Sequence, residues 1–274
     1  MNARIEIAYA KLNLALHVRA READGYHALE TLFAFCEDGD VLTLQDEPGL
    51  RLTGPFGAGL AGEDDNLVSR AGREWTARFG GVPAGFLLDK RLPIASGIGG
   101  GSADAAAALR LLARRDDIAI GDGGVMDIAR NLGADVPACL LSRAARGEGR
   151  GDDLAFVDLR GLARAPVLLV NPGVAVSTGA VFKAWDGVDR GALGPSVDEA
   201  MAGRNDLQQP ALALCEAIAD VLGWLEAQQG VGTVRMSGSG ATCFALFADA
   251  EERDRAAAAV PDGWWSLATR LRGA

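Results

Sequence analysis

The segment LPIASGIGGGSADAAAALRLLARR, residues 92–115, decides the fold of the chain around it. Four glycines occupy five positions, 97–101, and the alanine-rich stretch after Ala103 predicts a helix that ends near Arg115. Glycines without a Cβ atom let backbone N–H groups converge on an anion, and a helix that follows directs its free amides and its positive dipole end to the same place. The segment therefore predicts a loop that holds a polyphosphate without a cluster of basic side chains.

Ser102 follows the last glycine of this loop. Its hydroxyl could cap the helix, or it could reach a phosphate oxygen or the magnesium ion that accompanies it. The alternative is a glycine-rich turn that only tightens the packing of a strand against a helix. That alternative is disfavoured because four glycines carry a conformational entropy cost that a simple turn does not need.

Three other glycine patterns are excluded or fit poorly. A Walker A loop needs Gly-Lys-Ser/Thr, and none of the lysines in this chain follows a glycine. A Rossmann fingerprint needs a glycine three positions after Gly99, where this chain has Ser102. A nucleophile elbow around Ser102 needs a glycine at the position of Asp104, and no histidine lies nearby in the sequence.

Composition narrows the class of protein further. The 274 residues are 49% hydrophobic and 23% charged, which is ordinary for a globular protein. The net charge of −10 disfavours nucleic acid and anionic membranes as partners, since both reward a basic face. Four cysteines without a C-x-x-C pair predict neither a structural zinc site nor a disulfide framework. Charges interrupt the apolar residues near the start of the sequence, so we expect a bacterial-type cytoplasmic protein without a membrane span.

Hydrophobic periodicity predicts an α+β chain of two halves. The first half is predicted to hold a strand at 5–18, a strand pair at 29–35 and 41–44 joined by an Asp38-Gly39 turn, a helix at 66–79 that Gly80 stops, a strand at 85–89 and a short helix that Gly133 ends. Residues 143–153 predict a connection between the halves. The second half is predicted to hold strands at 166–170, 232–236, 241–247 and 264–271, a long helix at 210–229 and a further helix before the last strand.

Residues 93–107, PIASGIGGGSADAAA, resemble the central motif of the GHMP small-molecule kinases. The triple glycine before Ser-x-Asp resembles the form that this motif takes in the branch of the family that acts on 4-diphosphocytidyl-2-C-methyl-D-erythritol. Seven further segments resemble the same family in its order: AYAKLNLAL (8–16), DGYHALET (24–31), DNLVSRA (65–71), LGADVPACL (132–140), NPGVAVSTGAVF (171–182), RNDLQ (204–208) and SGSGATCFALF (237–247). The resemblance covers nearly the whole chain.

This resemblance implies a two-domain GHMP kinase fold. The N-terminal domain, 1–155, would resemble a ribosomal-protein fold and hold the ATP loop, and the C-terminal domain, 156–274, would be ferredoxin-like. It implies transfer of the ATP γ-phosphoryl group to the 2-hydroxyl of the cytidine-diphosphate-linked methylerythritol, in the non-mevalonate route to isoprenoid precursors. We expect Mg²⁺ to be carried by ATP near Ser102 instead of by a dedicated protein site, and the chain to act on a small molecule as a monomer or weak homodimer.

Two residues are expected to be catalytic. By resemblance Asp135 is the general base that accepts the hydroxyl proton, and the alternative is an aspartate that caps or braces the loop before Pro137. Lys11 shares a strand face with Asn13, and a lysine on the inner face of a strand needs an anionic partner. The resemblance places Lys11 beside Asp135 and the reacting oxygen, where its charge would stabilise the transferring group.

The resemblance implies that the glycine loop binds ATP. Its predicted contacts are Pro93, Ile94, Ala95, Ser96, Gly97, Ile98, Gly99, Gly100, Gly101, Ser102 and Ala103, of which Ala95, Ser96 and Ile98 depart from the commonest family residues. Asn66 either contacts adenine or caps the helix that follows it.

The use of lysine is an independent observation. Only three of the 27 basic residues are lysines, and a lysine retained in such a chain indicates a site that needs a compact positive charge. We hypothesise that Lys90, just before the glycine loop, faces the nucleotide. Lys183 is predicted to be a solvated helix residue.

The GYH segment is predicted to hold the cytidine. Tyr26 and Phe182 would stack on the base and His27 would bond its edge; a core aromatic and a satisfied loop histidine are the alternatives. His17 is predicted to be a core histidine. Further substrate contacts are predicted for Asn13 and for Thr178, the latter with a phosphate or a sugar.

Residues 237–241, SGSGA, predict either a tight hairpin or a wall of the active site. Two other functions stay open for the whole chain. One is another GHMP kinase of the homoserine or mevalonate type, whose substrates offer no base to stack. The other is a nucleotide-binding module without catalysis.

Overall fold

The computed structural model describes residues 4–62 and 65–273. The chain divides into two compact units, each assembled from discontinuous segments. Unit 1 comprises Met1–Ala10, Asp38–Ile94 and Gly99–Ser142, and unit 2 comprises Lys11–Glu37, Ala95–Ile98 and Arg143–Ala274. The division of the sequence at residue 155 stays a prediction.

The two longest strands contribute residues to both units. β1 (Ile5–Arg21) confirms the predicted N-terminal strand and pairs with β2 (His27–Gln45). The sequence predicted a half-buried strand, but β1 is buried on both faces, so Lys11 and Asn13 are as inaccessible as Leu12. Polar side chains on such a strand need partners inside the protein.

The predicted turn at Asp38-Gly39 is wrong, because β2 runs through it as one strand. A Cβ atom on Gly39 would overlap with the backbone of Ala8 on β1. Glycine therefore serves here to let two strands approach closely, which is the other use of glycine inside a strand. The next residue, Asp40, is fully buried instead of exposed at a turn.

Unit 1 combines strands with a helical layer. In it, β4 (Gly85–Asp89) lies between β3 (Gly49–Thr53), which runs parallel to it, and residues 41–45 of β2, which run antiparallel. The helices are α1 (Leu67–Phe79), α2 (Gly100–Arg115), α3 (Gly123–Leu132) and α4 (Val136–Leu141), and a short 3-10 helix spans Gly57–Leu60. α2 packs against α1 and α4, and its run of small buried alanines permits this close packing.

The predicted connection at 143–153 begins where unit 2 resumes at Arg143, but the segment is not a linker, because it forms most of an antiparallel hairpin in unit 2. The hairpin strands are β5 (Ala145–Glu148) and β6 (Asp153–Phe156), and β5 also pairs with residues 31–33 of β2. Gly149 and Gly151 adopt positive φ angles of 67° and 93° in the turn. The glycines that suggested a linker therefore serve a tight turn.

The rest of unit 2 has the strand order of a ferredoxin-like domain, as predicted. Its strands are β7 (Pro166–Asn171), β8 (Val231–Met236), β9 (Cys243–Phe247) and β10 (Trp265–Arg270), in the antiparallel order β10-β7-β9-β8. Its helices are α5 (Thr178–Ala184), α6 (Val197–Met201), α7 (Gln208–Leu214), α8 (Ala217–Glu226) and α9 (Ala250–Ala258), and a 3-10 helix spans Arg160–Leu162.

The long helix predicted at 210–229 is wrong, since it is broken into α7 and α8 at Cys215. Cys215 has extended backbone angles, φ −147° and ψ 95°, and its N–H closes α7 on the carbonyl of Ala211. The break lets Ala211 and Ile218 both enter the core of unit 2. Burial of both apolar faces outweighs the helix propensity of the intervening residues.

All four cysteines are buried, and none of them forms a disulfide. No helix among residues 4–62 and 65–273 is long and apolar enough to cross a membrane.

Candidate active site

The second half of the glycine loop forms the start of a helix in unit 1. α2 begins at Gly100, three residues earlier than predicted, and Gly99 precedes it in the left-handed conformation, with φ 65°. No side chain caps the helix at Gly99. Ser102 therefore lies within the first turn and is not the cap, which leaves its hydroxyl and the amides of this turn as the groups available to a ligand.

The first half of the loop belongs to unit 2 and is bonded to the SGSGA segment. Thr242 donates its backbone N–H to the carbonyl of Ser96 at 3.1 Å, and Ser237 donates its hydroxyl to the carbonyl of Gly97 at 3.0 Å. Residues 237–241 thus form both a turn between β8 and β9 and a support for residues 95–98. The hairpin turn is confirmed, and the role of SGSGA as a wall of the active site stays a prediction.

Gly97 cannot be replaced without strain. Its φ angle is 77°, and a Cβ atom would lie 2.5 Å from the carbonyl oxygen of Ser237 and 2.7 Å from that of Gly240. Both neighbours are backbone atoms, which cannot rotate away. This glycine is required by the close approach of the loop to the turn.

Asp135 occupies the N-cap position of α4 in unit 1 and is half-buried. Its side chain makes no capping hydrogen bond to the helix. Asp135 therefore does not cap α4, and the alternative that it braces the loop before Pro137 stays open. Its role as a general base stays a prediction.

Lys11 lies in unit 2 with 3% of its surface exposed. Its Nζ donates to Oδ1 of Asn13 at 3.1 Å and lies 5.0 Å from the centre of the Phe33 ring. Asn13 is oriented in turn, because its Nδ2 donates to Oγ1 of Thr31 at 2.8 Å, and Thr31 donates to the carbonyl of Ala15. This chain of donors fixes the amide oxygen of Asn13 toward the ammonium.

Unit 2 brings together three of the predicted substrate residues and three that the sequence reasoning missed. The ring centres of His27 and Phe182 are 4.9 Å apart, with the planes tilted by 38°. Trp185, which directly follows α5 as its C-cap residue, meets the His27 ring edge-on at 5.7 Å. The three-residue spacing of Phe182 and Trp185 at the C-terminal end of a helix could have indicated that both face the same way.

Tyr26 adjoins His27 in the chain but is 55% exposed, so the alternative of a core aromatic is wrong for it. The guanidinium of Arg150 lies 3.9 Å from its ring centre and forms an ion pair with Asp24. Arg150 comes from the β5–β6 turn, which sequence reasoning treated as a connection. The stacking leaves one face of the Tyr26 ring for another plane.

The protonation of His27 follows from its surroundings. The side chain is 9% exposed, and Nε of Arg21 donates to its Nε2 at 3.4 Å. Burial lowers the pKa of His27, and the charge of Arg21 lowers it further. The ring is therefore neutral near pH 7, with Nε2 as the acceptor and the hydrogen on Nδ1.

The other predicted contacts have defined local roles. Thr178, the first residue of α5, shares a 2.9 Å hydrogen bond with Ser239 of the SGSGA segment, and its contact with substrate stays a prediction. Asn66 caps α1, since its Oδ1 accepts the N–H of Val68 at 2.9 Å, and its contact with adenine also stays a prediction.

Two predictions about single residues are confirmed. His17 is a core histidine, 3% exposed, whose Nδ1 lies 3.0 Å from the carbonyl of Gly191 and whose Nε2 accepts the N–H of Arg204. Burial lowers the pKa of His17. Lys183 is an exposed residue of α5.

The hypothesis that Lys90 faces the nucleotide is wrong in this structure. Lys90 is 2% exposed, and its Nζ lies 2.5 Å from Oδ2 of Asp40 and 2.7 Å from Oδ2 of Asp104. Two carboxylates therefore compete for the ammonium that was predicted to meet ATP. Sequence reasoning missed both acids, because Asp40 follows an apparent turn signal and Asp104 lies inside the glycine motif with no predicted role.

Residues for a magnesium ion are sparse. Among the residues that the structure describes, no three of His, Cys, Asp and Glu cluster in a way that could hold a metal. Ser102 is half-buried in the first turn of α2. This donor set fits a Mg²⁺ that reaches the protein on ATP phosphates and takes at most a hydroxyl and waters besides.

Both parts of the chain match known protein families. Residues 66–143 match the GHMP kinases N terminal domain, and residues 189–264 match the family described as GHMP kinases C terminal. The 4-diphosphocytidyl-2-C-methyl-D-erythritol kinase of Rhizorhabdus wittichii is 56% identical, over 97% of this chain and 94% of that protein. The chain belongs to the 4-diphosphocytidyl-2-C-methyl-D-erythritol kinase family of GHMP kinases.

Solved structures agree with this family. A crystal structure described as 4-(cytidine 5'-diphospho)-2C-methyl-D-erythritol kinase is 36% identical, has a TM-score of 0.82, and covers 98% of this chain and 100% of its own. The L. major mevalonate kinase, at 15% identity, a TM-score of 0.68 and coverage of 98% of this chain and 96% of its own, shares the fold. The predicted family, fold class and kinase activity are confirmed, and ATP is the cofactor that the GHMP family implies.

Proposed function

We propose that the chain transfers the γ-phosphoryl group of ATP to the 2-hydroxyl of 4-diphosphocytidyl-2-C-methyl-D-erythritol, giving the 2-phosphate and ADP in the non-mevalonate route to isoprenoid precursors. The observation that carries the proposal is the pair of His27 and Phe182 rings, 4.9 Å apart, beside the exposed ring of Tyr26. Aromatic planes of this kind stack on a nucleobase. Mevalonate and homoserine carry no base that would need them.

The ATP phosphates would lie on the first turn of α2. Gly99, Gly100 and Gly101 present backbone amides there without side chains in the way, and the helix dipole adds positive potential. A Mg²⁺ ion bound to the phosphates, with Ser102 as its nearest protein hydroxyl, would neutralise phosphate charge. The protein needs this local potential because its overall charge is −10.

Asp135 and Lys11 would perform the proton and charge chemistry. Asp135 accepts the proton of the 2-hydroxyl, and phosphoryl transfer through a loose transition state asks mainly for a positioned base. Lys11 offsets the charge that develops on the transferring group. Its orientation by Asn13 and Thr31 is already set in the structure, so little reorganisation is needed when substrate binds.

The base would be recognised by shape and by one donor. Tyr26 and Phe182 supply ring faces, and His27 offers its Nδ1–H to an acceptor on the edge of the base. Thr178 and Asn13 would contact the phosphate or sugar portions of the substrate. Arg150 holds Tyr26 in place through its stacking contact.

Three properties of the whole protein complete the proposal. The catalytic pair and the glycine loop belong to residues 1–155, and residues 156–274 form the second domain. The enzyme acts in the cytoplasm, as its composition predicts. It acts as a monomer or weak homodimer, which light scattering during size-exclusion chromatography measures directly.

The variant Asp135→Asn and the wild-type protein form a pair that tests the catalytic assignment. Asp135→Asn removes the base but keeps the shape of the side chain, so turnover should fall by about 1,000-fold or more while Mg-ATP still binds with a Kd within about threefold of the wild-type value. Retention of more than about a tenth of wild-type turnover would exclude Asp135 as the base. A folded wild-type protein that binds ATP and phosphorylates nothing would favour the non-catalytic module.

A second pair tests the base pocket. Phe182→Leu should raise the KM for the cytidylyl substrate about 5-fold to 100-fold and leave the KM for ATP unchanged, because one stacking plane is lost. Phe156→Leu is the matched control, since Phe156 is a 46% exposed phenylalanine on β6 in the same unit. Equal effects of the two substitutions would contradict the stacking role.

A further inference from the structure

The buried ion network around Lys90 lies beside the proposed ATP site and has no role in the chemistry described above. Lys90 directly follows β4, Asp40 lies on β2, and Asp104 is the fifth residue of α2, so the three come from separate segments of unit 1. Each side chain is at most 3% exposed. A buried charge network of this kind is held together only when its members satisfy one another.

Asp40 fixes the chain that leads into the glycine loop. Its Oδ1 accepts the backbone N–H groups of Arg91 and Leu92, at 2.6 and 2.8 Å, while its Oδ2 meets Lys90 at 2.5 Å. Both carboxylate oxygens of Asp40 therefore accept hydrogen bonds from residues 90–92. Movement of this segment would leave a buried carboxylate unpaired.

Lys90 carries the same constraint to α2. Its Nζ lies 2.7 Å from Asp104, and it would lie 3.0 Å from a Cβ atom placed on Gly100. The ammonium is thus directly against the first turn of the helix, on the side of the protein interior. Gly100 leaves room for it, which gives this glycine a purpose besides access for phosphate.

The two acids are not equivalent. Oδ1 of Asp104 is buried and makes no hydrogen bond within residues 4–62 and 65–273. Burial and the nearby charge of Asp40 together raise the pKa of Asp104 to about 7, although the Lys90 ammonium acts in the opposite direction. Although burial alone would lower the pKa of Lys90, Asp104 and Asp40 together raise it, so the ammonium stays charged. One carboxylate and one oxygen acceptor are enough to hold it.

We propose that Lys90 is a positioning residue that fixes the first turn of α2 by joining Asp104 on the helix to Asp40 on β2, and that Asp104 acts there through its oxygen instead of its charge. The proposal rests on the proposed function, in which this turn binds the ATP phosphates. Lys90 acts on ATP affinity through the backbone amides of residues 99–102. It does not touch the nucleotide.

The test compares variants that separate the two acids from the lysine. Asp104→Asn keeps an oxygen for Lys90 and should hold the KM for ATP within about twofold, whereas Asp104→Ala removes the acceptor and should raise it about tenfold. Lys90→Met by itself would strand two buried carboxylates and endanger folding. The double variant Lys90→Met with Asp104→Asn avoids this, because Asp40 keeps its two backbone donors.

The double variant should raise the KM for ATP about tenfold and leave the KM for the alcohol substrate within about twofold. Arg110→Met is the matched control: Arg110 is a second largely buried cation of unit 1, which lies on α2 about two turns beyond Asp104 and pairs with Glu6 at 2.9 Å. It should lower the melting temperature without changing the KM for ATP. If the control and the double variant raise that KM equally, the effect is general destabilisation and the proposal is overturned.

Hydrogen exchange of the free protein keeps this test independent of the enzyme's activity. In the double variant, the peptide that covers residues 93–104 should exchange at least about fivefold faster than in the wild type, while peptides from β7 and β9 stay unchanged. Unchanged exchange in 93–104 would overturn the positioning role even if the enzyme is active. Faster exchange confined to 93–104 in a protein without kinase activity would support the positioning role and reject the proposed function.

Discussion

Replacement of Gly97 by alanine should damage the protein more than replacement of any glycine with the same backbone conformation and open surroundings. Gly97 has a φ angle of 77°, and an added Cβ atom would meet three backbone atoms of Ser237 and Gly240 at 2.5, 2.7 and 2.8 Å. Gly81 has a φ angle of 89° and no heavy atom within 4 Å of its Cβ position. The two glycines therefore share the conformational requirement and differ in space.

The expected magnitudes follow from these two terms. An alanine at positive φ costs about 1–2 kcal/mol at either position. Forcing a methyl group against backbone adds about 1–3 kcal/mol at Gly97 only. Gly97→Ala should therefore lower the free energy of unfolding by about 2–5 kcal/mol, and Gly81→Ala by about 1–2 kcal/mol.

Urea denaturation of both variants measures this difference, and ATP titration shows whether the loop has moved. Gly97→Ala should also weaken ATP binding, because relief of the contact shifts residues 95–98 away from the SGSGA segment. Gly81→Ala should bind ATP as the wild type does. Equal destabilisation by the two substitutions would refute the claim that the close approach, and not the φ angle, requires glycine at 97.

Three further results are expected. Lys11→Met should reduce kcat about 100-fold to 1,000-fold while the protein stays folded, because the buried ammonium of Lys11 contributes its charge to catalysis and little to the packing of the core. Turnover and circular dichroism measure the two effects, and a loss of kcat below about tenfold would count against the role of Lys11. Since burial and Arg21 lower the pKa of His27, the KM for the cytidylyl substrate should rise only below about pH 6.5, and a rise that begins above pH 7 would contradict the neutral ring. Asp104 binds its proton more tightly in the folded state, with a pKa of about 7 against the usual 3.8. The free energy of unfolding of the wild type should therefore fall relative to that of Asp104→Asn as the pH rises from about 4 to about 7, by at most about 4 kcal/mol in urea titrations. A difference between the two proteins that does not change with pH would argue against a protonated Asp104.

Local sequence patterns predicted a helix or strand correctly where one physical cause, such as a hydrophobic period, determines the structure of the segment. The strand at 85–89 and the helix at 67–79 follow their hydrophobic periods, and Asn66 and Gly80 mark the two ends of that helix. The ferredoxin-like half followed from the family resemblance. Family motifs also gave the kinase function, which single-residue physics left open.

The wrong predictions share one cause, which is that tertiary contacts changed the meaning of a local signal. The Asp38-Gly39 pair indicates a turn, yet glycine is required at 39 because the backbone of Ala8 lies so close. The next residue, Asp40, pairs with a lysine 50 residues later in the sequence. The glycines at 149 and 151 indicated a linker and serve a hairpin. Nothing local in the sequence distinguishes these uses.

The candidate site was predicted unevenly for the same reason. His27 and Phe182 were recognised by motif and do meet, but Arg21, Arg150 and Trp185 join them from segments whose proximity depends on the fold. The scarcity of lysine correctly singled out Lys90 as a residue with a special environment. The scarcity of lysine did not predict the partners of Lys90, and it therefore did not predict that the ammonium points to Asp40 and Asp104 in the protein interior.

Phosphorylation assays with three alcohols test the central claim most directly. Purified protein is incubated with Mg-ATP and, separately, with 4-diphosphocytidyl-2-C-methyl-D-erythritol, mevalonate and homoserine, and both ADP release and the phosphorylated product are measured. Turnover with the cytidylyl substrate only, with the phosphate on its 2-hydroxyl, is the predicted result. Turnover with mevalonate or homoserine only would contradict the assignment of Tyr26, His27 and Phe182 to a base, and no turnover with any of the three would contradict the kinase function.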